Sequence, residues 1–262
     1  GHSQGSFFAF HFAGAHPDAV NGICADASGA WAASKTGPAG HHQAIGIMHG
    51  TDDPVVPYGQ SRGAYDLYRK STYPLVHLRT LNQWGHPPEA IQAGFVLAWC
   101  EGMTTSDPAR ARAALGELAD GTENLGDYSA LYQVANRVSG RVGKTVAGVT
   151  PEDTARAESI AKAIESLASK HVDALRTLMP KAKGGSPDVG PWVGHLLQFF
   201  DGFEGIPARD AFANENRELV DRDAVELRQP LDGVVVHGPA VLVPDVNAGG
   251  DGTDIAARIH PQ

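Results

Sequence analysis

Three short apolar segments in the first hundred residues constrain the fold more than any other feature of the sequence. They cover residues 20–25, 44–48 and 75–81, and each has the length and composition of a β-strand. Helical patterns alternate with them, over residues 6–16, 58–70 and 89–100. Because alternating strands and helices are typical of parallel sheets with crossover helices, the pattern predicts an α/β fold for this part of the chain.

The character of the sequence changes after about residue 104. Thr105–Pro108 and Thr150–Pro151 have the composition of capped helix starts, and an apolar stripe with helical spacing runs from Ile160 to Leu178. We therefore expect a mainly helical extension over residues 105–222, forming a separate or flanking layer without further parallel strands. Residues 223–262 are expected to hold a short β-like segment and a flexible tail.

Composition and charge narrow the classes of function. Lys and Arg total 21 against 30 Asp and Glu, a net charge of −9, which does not favour binding to nucleic acid or to an anionic membrane surface. No apolar run is long enough for a transmembrane helix, so membrane insertion is not expected. Cys24 and Cys100 are too few for a disulfide framework or a cysteine-only zinc site.

The pattern at residues 1–5, Gly-His-Ser-Gln-Gly, matches the G-x-S-x-G nucleophile elbow. In such an elbow Ser3 is the nucleophile, and Gly1 and Gly5 avoid clashes with their neighbours in the tight turn. The backbone N–H of Gln4 points at the developing oxyanion, and the following helix places its positive end at the serine. The alternative is an ordinary serine in a glycine-rich turn.

A candidate acid follows the second apolar segment. Residues 49–57 read His-Gly-Thr-Asp-Asp-Pro-Val-Val-Pro, so Asp52 and Asp53 lie where the carboxyl end of a parallel strand is expected. Sites in open α/β sheets form at that edge, and either carboxylate could orient a histidine. The alternative is that both are turn and helix-cap residues ahead of Pro54.

His86 is the candidate base because it follows the third apolar segment and precedes a helix. The resulting chain order, Ser, Asp, His, with each residue just after a strand, is one of the known orders of a catalytic triad. His77 lies inside a strand pattern and is a poorer candidate. We expect Ser3, Asp53 and His86 to cluster at one edge of a parallel sheet, with His86 between the other two.

These segments together resemble the C-terminal half of the catalytic domain of α/β-hydrolases, in particular feruloyl-esterase-like and polyhydroxyalkanoate-depolymerase-like proteins. The resemblance covers residues 1 to about 100 and rests on the elbow, the helix exit at 15–18, residues 49–58 and Trp84-Gly85-His86. It implies that the acid is Asp53, with Asp52 at a variable position. Many such proteins have glycine where this chain has Ser6.

The resemblance also implies that earlier strands and a loop carrying the second oxyanion donor precede Gly1 in these families. From this and from the absence of an initiator Met we expect the chain to be part of a longer protein and to be poorly active alone. The compartment stays open, with a secreted or periplasmic location compatible with the resemblance, and so does the oligomeric state.

The function expected from these residues is hydrolysis of carboxylic esters, in small molecules or polymers, through an acyl-enzyme on Ser3. His86 acts as general base and acid, and Asp53 orients it. No metal and no organic cofactor is implied. Two alternatives stay open: a serine peptidase of the prolyl-oligopeptidase type, and a non-catalytic hydrolase-like scaffold with a helical interaction module.

Overall fold

The structure is a computed structural model, and it describes residues 1–30, 37–142, 146–183, 196 and 199–216. Residues 223–262, where a short β-like segment and a tail are expected, lie outside the described residues. In the described parts, no helix combines the length and apolar character needed to cross a bilayer.

The main elements of the described residues are the following α-helices and three strands. The helices are α1 (Gln4–Ala15), α2 (Gly59–Lys70), α3 (Ala90–Thr104), α4 (Pro108–Leu125), α5 (Tyr128–Val138), α6 (Pro151–Lys183) and α7 (Pro207–Glu215). The strands are β1 (Gly22–Asp26), β2 (Ala44–Gly50) and β3 (Val76–Leu81). The predicted helix starts before α4 and α6 are confirmed: Asp107 accepts a hydrogen bond from Ala109 N at 2.8 Å, and Thr150 accepts one from Asp153 N at 3.1 Å.

The three strands form one parallel sheet in the order β1-β2-β3, which confirms the predicted α/β arrangement, and helix α2 is the crossover between β2 and β3. The first residues of the chain lie along its β1 side. His2 forms a parallel bridge with Asp26, whose N–H donates to Gly1 O at 3.0 Å. Ser3 N in turn donates to Asp26 O at 2.9 Å. The turn that carries Ser3 is therefore held at the carboxyl edge of the sheet.

Alternate residues of the strands face opposite layers of helix, as the pleat of a strand requires. Ile45 and Ile47 belong to a buried cluster with Phe10 of α1 and Tyr68 of α2, whose rings stack with centroids 5.7 Å apart. Met48, on the other face, clusters with residues of α3. The sheet is thus covered on both sides, as parallel sheets generally are.

Helix α1 is less buried than its composition suggests. Its phenylalanines and alanines extend around the whole helix and favour complete burial, yet only Ser6, Phe10 and Ala13 are buried, and Phe8 is 62% exposed. A helix lying on a sheet buries only the stripe that faces the strands. The apolar character of the other faces does not change that geometry.

Helices α4 and α5 pack as part of the α/β unit. The contacts divide the chain into a unit that ends at Glu158 and a second that begins at Ser159. Within the first unit Asp127 caps α5 through Ala130 N at 3.2 Å and accepts a hydrogen bond from His77 Nε2 of β3 at 2.8 Å. This buried polar contact ties the helices to the sheet.

The second unit is helical in its described residues, in agreement with the prediction of a mainly helical extension, and no strand occurs between residues 105 and 216 where the structure describes them. Ile160, Ile164, Val172 and Leu175 of the predicted apolar stripe are buried. An aromatic cluster also belongs to this unit: the rings of Phe199 and Phe203 lie 5.2 Å apart, and Phe200 and Phe212 pack with them.

Gly46 sets the distance between β2 and α3. A Cβ at this position would lie 2.5 Å from Val96 Cγ1 and 3.0 Å from Cys100 Sγ. We expect Gly46→Ala to lower the free energy of unfolding by about 1–3 kcal/mol, measured by urea titration, because overpacking forces the helix away from the sheet.

Gly94→Ala in α3 is the matched control. A Cβ at Gly94 meets nothing within 4 Å, so this change is expected to stabilise the helix by about 0.5–1 kcal/mol. Equal stability of the Gly46→Ala variant and the unmodified chain would contradict the close packing described here.

Burial raises the pKa of Asp127, but the charges and hydrogen bonds of His77, Arg79 and the Ala130 N–H outweigh it and hold that pKa below its usual value.

Asp127→Asn keeps a capping side chain and removes the charge. We expect a loss of about 1–3 kcal/mol at neutral pH. Since the folded pKa is depressed, the loss is full above about pH 3.9 and vanishes as the pH falls through the folded value.

Asp107→Asn serves as the control for this pH series, because Asp107 is an exposed capping residue. It should change the stability by less than about 0.5 kcal/mol at any pH in the series. A pH-independent loss in Asp127→Asn would show that the ionised carboxylate does not carry the effect.

Candidate active site

The backbone at Ser3 has the strained geometry of a sharp strand-to-helix turn. Its φ is 50° and its ψ is −123°, a region that non-glycine residues rarely occupy. Ser6 helps to hold the turn: its buried Oγ accepts from Asp26 N at 2.9 Å and contacts the carbonyl oxygens of Gly1 and Asp26. The serine at position 6 therefore fastens the turn to the end of β1.

The two glycines of the motif behave differently. A Cβ at Gly1 would lie 2.6 Å from the carbonyl carbon and oxygen of Gly5, so only glycine fits there. A Cβ at Gly5 would meet nothing within 4 Å among the described residues. The steric requirement expected on both sides of Ser3 thus applies to Gly1 and not to Gly5 in this structure.

The Ser3 hydroxyl is not used by the fold. Ser3 lies at the N-cap position of α1, but its side chain makes no capping hydrogen bond. Within the described residues, neither Ser3 Oγ nor the backbone N–H of Gln4 has a hydrogen-bond partner. A serine oxygen and a neighbouring N–H donor are therefore both free at the N-terminal end of a helix, where partial positive charge favours an anion.

Asp53, rather than Asp52, faces His86. Asp53 Oδ2 accepts a hydrogen bond from His86 Nδ1 at 2.8 Å, and its Oδ1 accepts from the N–H groups of Val55 and Val56 at 2.8 and 2.9 Å. Asp52 is exposed, and its Oδ1 accepts from Thr51 Oγ1 at 3.0 Å. The turn after β2 thus buries one carboxylate and leaves its neighbour in solvent.

The surroundings of Asp53 favour its ionised form. Burial of the carboxyl raises its pKa. The hydrogen bond and charge of His86 and the N–H groups of Val56 and Val55 outweigh that cost, so the pKa lies below its usual value. An ionised carboxylate beside His86 Nδ1 fixes the tautomer that leaves Nε2 free to accept a proton.

The structure brings His86 and Asp53 into hydrogen-bond contact but does not join His86 to Ser3. No hydrogen bond links these two residues in the described part of the chain. The ring that contacts His86 is that of His2, next to Ser3, with the two centroids 4.8 Å apart. Catalytic hydrogen bonds are often long in unliganded sites and shorten only when substrate is bound.

Asp26 is a residue of this edge that sequence reasoning missed. It ends β1, is 7% exposed, and its Oδ2 accepts a hydrogen bond from His2 Nδ1 at 2.8 Å. Burial raises its pKa, although His2, His49 and His86 act in the opposite direction. Its position at the carboxyl end of a strand was the available signal, and the same signal pointed to Asp53.

His49 is the second residue whose role the sequence did not show. It opens the motif at 49–57, and in the structure its ring is fully buried directly behind Asp53, with Nε2 3.1 Å from Asp53 Oδ2. A histidine next to a strand-end aspartate is visible in the sequence. Its direction toward the carboxylate is decided by the turn, which the sequence pattern does not specify.

The histidine and aspartate side chains at this edge do not form a metal centre. In the described ranges, no group of three or more His, Cys, Asp or Glu side chains is arranged to hold a metal ion.

Comparisons with protein-family models, with curated proteins and with solved structures found no match to this chain. The site is therefore interpreted from its own geometry.

Asp53→Asn tests the buried carboxylate. Because two imidazoles and two backbone N–H groups converge on Asp53, we expect the variant to lose about 1–3 kcal/mol of unfolding free energy at neutral pH. The wild-type carboxylate stabilises the fold above about pH 3.9 and loses that effect as the pH falls through its depressed folded pKa, so the difference shrinks in acid.

Asp52→Asn is the neighbouring control, since Asp52 is exposed and its side chain is bonded only to Thr51. Its unfolding free energy should stay within about 0.5 kcal/mol of the unmodified chain. If chemical denaturation gave the two variants the same stability, the asymmetry between these carboxylates would be refuted.

Proposed function

We propose that this chain is a serine hydrolase that cleaves carboxylic esters, with Ser3 as nucleophile, His86 as general base and acid, and Asp53 as the residue that orients His86. The observation that carries the proposal is the strained backbone of Ser3 and its unpartnered hydroxyl at the N-terminal end of α1, on the same sheet edge as a hydrogen-bonded His86–Asp53 pair. Strain at a polar residue is typical of functional sites.

The chemistry follows from the roles of these three side chains. Ser3 Oγ attacks the ester carbonyl carbon, and its proton passes to His86 Nε2. The tetrahedral intermediate collapses when His86 returns the proton to the leaving alcohol, which leaves the acyl group on Ser3. Water then attacks this acyl-enzyme, with His86 again taking and returning a proton, and the carboxylic acid and Ser3 are released.

Asp53 stabilises His86 when the imidazole becomes charged. The carboxylate is kept ionised by His86 and the N–H groups of Val55 and Val56, and it is 2.8 Å from His86 Nδ1, so it stabilises the imidazolium that forms during each proton transfer. Its fixed position also keeps the proton on Nδ1 in the resting state. Both effects require the charge and the geometry together, which is why an isosteric amide is a poor replacement.

The Gln4 N–H is the oxyanion donor in this proposal. It follows the nucleophile directly, has no partner among the described residues, and belongs to the first turn of α1. Negative charge that develops on the carbonyl oxygen would meet this N–H and the positive end of the helix. One donor of this kind typically contributes about 10²–10³ in rate.

Ser3→Ala tests the nucleophile. We expect the unmodified chain to be labelled covalently by a fluorophosphonate probe and to hydrolyse a short-chain aryl ester slowly, in keeping with the low activity expected of this chain alone. The Ser3→Ala variant should lose labelling completely, and its hydrolysis should fall to the uncatalysed background. Ser106→Ala, at an exposed serine before α4, is the control and should label like the unmodified chain.

Persistent labelling in Ser3→Ala would show that another residue is the nucleophile. Absence of labelling in the folded, unmodified chain would favour the non-catalytic scaffold alternative. Parallel assays with aryl esters and aminoacyl amides separate the esterase from the peptidase alternative, because both share the acyl-enzyme. Faster turnover of the aminoacyl amide than of the aryl ester would favour the peptidase alternative over the proposed esterase.

A further inference from the structure

The imidazole of His49 is fully buried and takes no part in the steps proposed above. It lies near the end of β2, between the turn that carries Asp53 and helix α2. Three oxygen atoms surround its two ring nitrogens, from Ser61, Val56 and Asp53. The hydrogen atoms available to these contacts determine the charge of the ring.

The contact at Nδ1 requires a hydrogen on the ring. Ser61 Oγ lies 2.7 Å from His49 Nδ1 and 2.5 Å from the carbonyl oxygen of Ser28. A carbonyl oxygen only accepts, so the single hydroxyl hydrogen of Ser61 is directed at Ser28. Ser61 Oγ is then left to accept, and His49 Nδ1 donates to it.

The contacts at Nε2 require a second hydrogen. His49 Nε2 lies 2.9 Å from the carbonyl oxygen of Val56 and 3.1 Å from Asp53 Oδ2. Neither the carbonyl nor the ionised carboxylate can donate. A neutral imidazole has one N–H and would set a lone pair against an acceptor on one of its two sides, which is costly for a buried group.

We propose that His49 is a positioning residue that carries a proton on both ring nitrogens and serves as the buried counter-ion of Asp53. The inference extends the proposed function, since Asp53 is the acid of that mechanism. His49 then holds Asp53 Oδ2 in place from behind while His86 contacts it from the front. It also keeps the buried carboxylate paired with a charge on its inner side.

Two further titratable groups belong to the surroundings of this ring. The ring of Tyr58 packs edge-on against His49 with centroids 5.8 Å apart, and its hydroxyl is shared with Thr80 Oγ1 at 2.8 Å. Asp26 is bonded to His2 instead, and burial raises the pKa of its carboxyl, with His2, His49 and His86 acting in the opposite direction. Asp53 is therefore the carboxylate that contacts His49 directly.

The direct test is nitrogen NMR of the whole chain labelled with ¹⁵N-histidine. At neutral pH both ring nitrogens of His49 should give protonated, imidazolium-type signals. The signal is assigned among the twelve histidines by its loss in His49→Gln or, if that variant does not fold, through connectivities to Met48 and Gly50. A neutral His49 ring at neutral pH would overturn the proposal.

Two substitutions separate the charge of His49 from its hydrogen bond. The amide of His49→Gln reaches the position of Nε2 and still donates to Asp53, whereas that of His49→Asn is too short. We expect the rate of fluorophosphonate labelling to fall by about 10- to 100-fold in His49→Asn, the effect of losing one hydrogen bond to a charged group, and by less in His49→Gln.

The pH dependence of fluorophosphonate labelling separates the counter-ion role of His49 from a purely structural role, which would leave it unchanged. Removal of a cation behind Asp53 strengthens the negative field at His86 and makes its imidazole more basic. The pH of half-maximal labelling should therefore shift upward in His49→Gln. His41→Gln is the control, because His41 contacts Ser71 and Tyr73 instead, and its profile should not move.

An unshifted profile in a folded His49→Gln variant contradicts the counter-ion role. Failure of the proposed function is a different result: Ser3 in the unmodified chain would then not be labelled at all, while the NMR signals would still decide whether His49 is charged beside Asp53.

Discussion

A single buried carboxylate organises the candidate site. Asp53 lies immediately after β2 and receives four hydrogen bonds, two from backbone N–H groups of its own turn and two from the imidazoles of His49 and His86. A buried charge is tolerated only when it is fully paired, so the turn and both rings must take one arrangement. The orientation of His86, and through it the proposed chemistry, depends on this arrangement.

The parallel sheet explains why these groups meet. Asp26 at the end of β1, Asp53 after β2 and His86 after β3 are distant in sequence, yet the register of the strands places their carboxyl ends along one edge. The turn at Ser3 is fastened to the same edge by its backbone hydrogen bonds to Asp26. Close packing of α3 on Gly46 supports the sheet from behind, and this support needs no polar contact.

A second buried carboxylate has a different role in the same unit. Asp127 accepts from His77 of β3 and caps α5, so it joins the helical region after residue 104 to the sheet. This contact holds α5 in the same compact unit as the sheet. The two aspartates illustrate one rule. A buried, paired carboxylate fixes the positions of the elements that donate to it, and whether it has a catalytic or a purely structural role depends on whether a reactive side chain lies next to it.

The sequence by itself determined the local structure and the residue types of the site. Apolar runs and helical periodicity placed all three strands and the flanking helices within a few residues, and strand-end positions singled out His86 and the pair Asp52 and Asp53, because these patterns depend on near neighbours. The choice of Asp53 within that pair came from the resemblance to α/β-hydrolases. Only the tertiary structure decided that Asp26 and His49 join them, that α1 leaves Phe8 exposed, and that α4 and α5 belong to the α/β unit. Those outcomes depend on contacts between residues far apart in the chain, whose geometry no local pattern encodes.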